Sequence, residues 1–99
     1  MNKNNPKELP IRSKLQMIDD IAKIINHLHN NERIEADQLL LDLKRRSLYM
    51  DDEIQQSVLM FAEQISFQFD YDREHKVTSD VQQAADKLIE NLGFSKPKD

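Results

Sequence analysis

From Ser13 onward the chain sets apolar side chains at intervals of three and four, in four segments separated by short polar links. In the first segment Leu15, Ile18, Ala22, Ile25 and Leu28 recur at this spacing, and Met17, Ile21 and Ile24 widen the stripe. Such a period is one face of an amphipathic helix. Asn30 and Asn31 end it, since asparagine bonds its own backbone and tolerates turns. A second helix is predicted from about residue 33 to 48, with Ala36, Leu39, Leu40 and Leu43 on its buried face and Lys44, Arg45 and Arg46 near its C-terminus, where cations complement the helix dipole. The third opens at Asp51 or Asp52 and carries the cleanest seam, Ile54, Val58, Phe61, Ile65 and Phe69. Leu59, Met60, Ala62 and Phe67 lie off that seam; in a small bundle such a surplus packs on a neighbouring helix more often than it stands open as a patch. The fourth is delimited by a Ser79-x-x-Gln82 capping box with Asp80 in the first turn, by the stripe Val81, Ala85, Leu88 and Leu92, and by Gly93 at the closing position, from which Phe94 can fold back on Ile89.

Four amphipathic segments with short links predict an all-α fold, an antiparallel up-down-up-down four-helix bundle. The single glycine and three prolines among 99 residues leave too little turn punctuation for several hairpins. Pro6 and Pro10 argue against an early helix, so residues 1–10 are read as a disordered N-terminal arm, 11–94 as the bundle and 95–99 as a short flexible tail.

Charge narrows the partners. The net charge is −4; residues 1–14 hold four basic side chains against Glu8 and residues 95–99 add +1, which leaves −8 on the helical body. A phosphate backbone needs a basic stripe, and the one cluster, at residues 44–46, is explained by a solvated helix end, so nucleic acid is not expected. The acidic polar faces would be repelled by anionic lipid, and no apolar run reaches the roughly 18 residues of a membrane span. The polar start lacks the apolar core of a secretory signal, and the absence of cysteine fits a reducing compartment. These features read as a cytoplasmic protein.

The chemistry-bearing residues form no recognisable site. His27 and His29 point about 200° apart on a helix, and His75 stands alone in a polar link, so no metal is expected. The segment beginning at Asp70 resembles a calcium loop, but its sixth position is His75 rather than glycine and its twelfth is Val81 rather than glutamate. Asp19 and Lys23 have the spacing of a surface helix pair. No nucleophile motif or glycine-rich phosphate cradle occurs. The expectation is a protein without cofactor or catalysis that acts by binding another protein.

Residues 54–93 resemble the enterocin A-type immunity proteins, which protect producers of pediocin-like bacteriocins. The likeness rests on the aromatic-rich third helix, the polar link with His75-Lys76, Val77-Thr78 leading into the fourth helix, and its end at Leu88-Ile89-Glu90-Asn91-Leu92-Gly93. Residues 13–48 match only as two amphipathic helices of suitable length. The resemblance implies a four-helix bundle that binds the complex of bacteriocin and membrane receptor, the mannose phosphotransferase permease, from the cytoplasmic side. It places the contacts in the C-terminal half, on Arg73, His75 and Lys76 of the link and on Phe94, Lys96 and Lys98 of the tail, with the protein a monomer or weak dimer. The competing readings are a small helical adaptor that binds a soluble cytoplasmic partner through apolar surface such as Met60 and Phe67, and a homodimer that buries the third helix's aromatics.

Overall fold

The computed structural model describes residues 8–71 and 77–93, and within them every element is a helix: α1 (Glu8–His29), α2 (Arg33–Ser47), α3 (Asp52–Tyr71) and α4 (Ser79–Asn91). One shared core is built from the inward faces of all four, with Phe61, Met17, Ile24, Leu43, Ile65 and Leu88 among its fully buried side chains. The main packings are α1 on α2, α3 on α4 and α2 on α3.

Helix α1 departs from the sequence reading twice. It begins at Glu8, inside the segment assigned to the arm, and Pro10 lies in its first turn. A proline is tolerated there because the first four N–H groups of a helix have no intrahelical partner. Its buried set is Met17, Ile21, Ile24 and Leu28, whereas Leu15 and Ala22 face outward and Ile18 and Ile25 are half-buried at the core's edge. The inner face is therefore turned from the expected stripe.

The α1–α2 junction closes on itself. Asn31 takes the left-handed conformation, φ 60°, donating from its N–H to the Leu28 carbonyl (3.0 Å), while the Glu32 N–H reaches the His27 carbonyl (2.8 Å). These are the two bonds of a Schellman motif, with asparagine in the position glycine usually takes. The Glu32 carboxylate adds a 2.7 Å contact to His27 Nδ1. Glu32 is also the N-cap of α2, its carbonyl accepting from the Ala36 N–H at 3.1 Å. One residue thus ends α1 and begins α2.

Ala36, Leu40 and Leu43 form α2's inner face, with Leu39 half-buried, and α3 buries the whole predicted seam from Ile54 to Phe69. The surplus on α3 does not pack inward as expected: Ala62 is buried, but Leu59, Met60 and Phe67 are each more than half exposed. Helix α4 buries Val81, Ala85, Leu88 and Leu92 as predicted, together with Ala84.

The start of α4 corrects the predicted cap by one residue. Thr78, in extended conformation, is the N-cap, and its hydroxyl accepts from the Val81 N–H at 3.2 Å. In a capping box the third helical residue reaches back to the N-cap's own N–H. Val81 has no acceptor to offer, and the Thr78 N–H instead donates to Gln68 Oε1 on α3 at 3.0 Å. Gln68 is buried, so this bond ties the two helices together where water is excluded. At the other end Gly93 adopts φ 95° and donates to the Glu90 carbonyl, as predicted for a glycine that closes a helix.

Candidate partner-binding face

Helix α3 has a second apolar stripe besides its seam. Met60, Phe67 and Tyr71, at intervals of seven and four, fall within a narrow sector of the helix, and all three are more than half exposed. The Phe67 and Tyr71 rings meet with centroids 4.9 Å apart at a tilt of 46°, so they form one joined aromatic surface. Its lower end is anchored. Asp70 accepts a 2.6 Å hydrogen bond from Arg33 Nη1 at the start of α2, and the same guanidinium lies 5.5 Å from the centroid of the Phe69 ring. The bond to Asp70 holds the Arg33 pKa above its ordinary value.

Met60 sits on a ridge with hollows on either side. Toward α2, an open hollow of about 380 Å³ is lined by Lys44, Leu59, Met60, Glu63 and Ser66 among others. Toward α4, one of about 430 Å³ lies between Met60 and Gln64 of α3 and Asp80, Gln83, Ala84 and Lys87. A third, about 210 Å³, continues past Ala84 to Ser57 and Asn91. The floor of the third is held by Asn91 Nδ2 donating to the Ser57 hydroxyl, which in turn donates to the Glu53 carbonyl at 2.9 Å. A flexible thioether between hollows edged by both signs of charge suits contact with another protein's side chains.

The six residues predicted as contacts all lie outside the described residues: Arg73, His75 and Lys76 in the link 72–76, and Phe94, Lys96 and Lys98 in 94–99. The contact expected between Phe94 and Ile89 falls there too. The exposed α3 stripe runs in sequence up to that link, ending at Tyr71. Tyr71 was missed in the sequence reading, although its spacing of four from Phe67 and eleven from Met60 would have placed it on the same side. Among the described residues no three His, Asp or Glu side chains converge as a metal site, and no helix is long and apolar enough to cross a membrane. His27 is engaged with Glu32 in the junction.

Comparison with protein-family models, with curated proteins and with solved structures finds no match to this chain.

Proposed function

We propose that this chain is a non-catalytic, cytoplasmic protein-binding bundle that acts as an immunity protein of the enterocin A type, engaging a pediocin-like bacteriocin on its receptor. The observation that carries the binding part is the exposed stripe Met60–Phe67–Tyr71: three large apolar side chains on one sector of α3, two in ring contact, with hollows beside Met60. Exposed apolar surface of this kind is disfavoured on a protein without a partner to cover it. The choice of bacteriocin complex over other partners rests on the sequence resemblance across residues 54–93.

In this reading the helices alternate in direction. Supporting it, the start of α2 meets the end of α3 through Arg33 and Asp70, and the end of α3 meets the start of α4 through Gln68 and Thr78. The partner then meets the stripe and the link that follows it in sequence, with Arg73, His75 and Lys76, while Phe94, Lys96 and Lys98, which follow the other end of α4, make a separate contact.

Expression in a bacteriocin-sensitive strain tests this directly. Growth should be protected against one or a few members of a pediocin-like panel, and Phe67→Ser with Tyr71→Ser should abolish protection while leaving the circular dichroism unchanged. If no bacteriocin is resisted while the same double variant loses a soluble cytoplasmic partner in pull-downs, the protein is an adaptor using the same stripe.

A further inference from the structure

Helix α2 is apolar on two sides. Ala36, Leu40 and Leu43 face the core, while Ile34, Leu41 and Leu48, spaced by seven, are 72%, 49% and 66% exposed. Residues seven apart drift by only about 20° around a helix, so these three fall on one outer line along α2 and its C-cap, about 10 Å apart. Apart from Arg33, which is bonded to Asp70, the charges on the helix are divided along its length. Glu35, Asp37 and Asp42 occupy its first two-thirds, and Lys44, Arg45 and Arg46 its last turns.

A surface of this kind is self-complementary only in one orientation. A two-fold interface presents the same patch from both copies. Two α2 helices laid parallel would set acid beside acid and base beside base. Laid antiparallel, with Leu41 on the axis, each Ile34 meets Leu48 of the second copy. On one flank Asp37 then faces Lys44 of the second copy, and the symmetric pair repeats across the axis. Asp37's present tie, to Arg33 Nε at 3.8 Å, is long and half-exposed, so it yields readily.

We propose that the outer line of α2 is a homotypic interface, pairing antiparallel with α2 of a second copy of this chain through Ile34, Leu41 and Leu48. The apolar line is separate from the α3 stripe, although Lys44 borders both, and the proposal does not depend on the immunity reading. A helix of 15 residues spans roughly 22 Å. A single pair of that length buries less than the roughly 1,600 Å² of a standard interface, so the expected association is weak and concentration-dependent.

Sedimentation equilibrium of the full chain from about 10 µM to about 1 mM covers the range of weak association. The mass should move from one chain toward two. Leu41→Lys places two cations on the axis and should leave a single chain throughout, with its unchanged melting curve showing that the fold is intact. Asp37→Lys alone should weaken association about tenfold by setting cation against cation twice. Combining it with Lys44→Asp should restore the parent's value, since the flank pairs re-form with signs exchanged. A chain that stays monomeric at the highest concentration overturns the proposal. So does a dimer indifferent to Leu41→Lys, or one whose loss in Asp37→Lys the second substitution fails to repair.

Discussion

The pairs α1–α2 and α3–α4 solve the same problem by different means. The first is aliphatic: Met17, Ile21, Ile24 and Leu28 meet Ala36, Leu40 and Leu43, and the junction is fixed by backbone bonds around Asn31. In the second, α3 brings the Phe61 and Phe69 rings to the shared core, and the helices are tied by buried or half-buried polar side chains, Gln68 to the Thr78 N–H and Asn91 to Ser57. The difference follows from the links. Asn30, Asn31 and Glu32 leave no slack, so capping geometry alone can set the angle between α1 and α2. The link from 72 to 78 is too long to do so, and side-chain bonds between the helices take over that role.

The largest test of this contrast is in the core. Phe61→Ala should destabilise by about 3–5 kcal/mol and Ile24→Ala by about 2–4 kcal/mol, read from urea unfolding followed by circular dichroism. An Ile24 cost above that of Phe61 would reverse the assignment of the heavier core to the second pair. Next comes the buried tie. Gln68→Ala strands the Thr78 N–H and should cost about 1–3 kcal/mol, against about 1 kcal/mol for Thr78→Ala, which loses only the cap. A double-mutant cycle should find the two strongly coupled, because both bonds pass through Thr78. Equal and additive losses would remove the idea that Gln68 completes the cap.

Asn31→Ala and Gly93→Ala probe the two left-handed caps and should each cost about 1 kcal/mol. At Gly93 an added Cβ would meet nothing within 4 Å, so the loss there is backbone strain alone. Asn31→Gly should be almost neutral by thermal melting. The smallest effect is expected at Lys23, whose bond to Asp19 (3.0 Å) raises its pKa above 10.5. A raised folded-state value means its stabilising contribution is whole at neutral pH and fades as the pH climbs through that value. Melting curves of Lys23→Gln and the parent should differ slightly at neutral pH and converge in strong alkali.

The four helices were legible in the sequence because each carries a helical period bounded by turn or cap residues. Seam residues such as Phe61 and Ile65 were legible because α3 places them at regular intervals of three and four. Helix α1 misled because two interleaved sets, one through Leu15 and Ala22 and one through Met17 and Ile24, share the same period. Periodicity cannot choose between them; packing does. The α4 cap was missed by one residue for a similar reason. Thr78 and Ser79 both carry a hydroxyl, and the choice is made by Gln68, ten residues earlier in sequence and adjacent only in space. Of the candidate site, Met60 and Phe67 were visible as surplus apolar surface. Their exposure was not, since it depends on which neighbours α4 brings to α3.

The shared residue Glu32 has a consequence for how this protein can vary. With no spare residue between α1 and α2, an insertion at the junction cannot be absorbed as a bulge without breaking the cap. Propagated instead, it would turn α2 by about 100° about its own axis. An insertion so propagated would bring Glu35, Leu39 and Asp42 to the places of Ala36, Leu40 and Leu43, and a deletion would bring Asp37, Leu41 and Lys44 there. Either change would therefore exchange two of the three inner apolar side chains of α2 for charged ones, a costly burial. The junction length acts as a register key, holding Ala36, Leu40 and Leu43 on the core and leaving Leu41 outside.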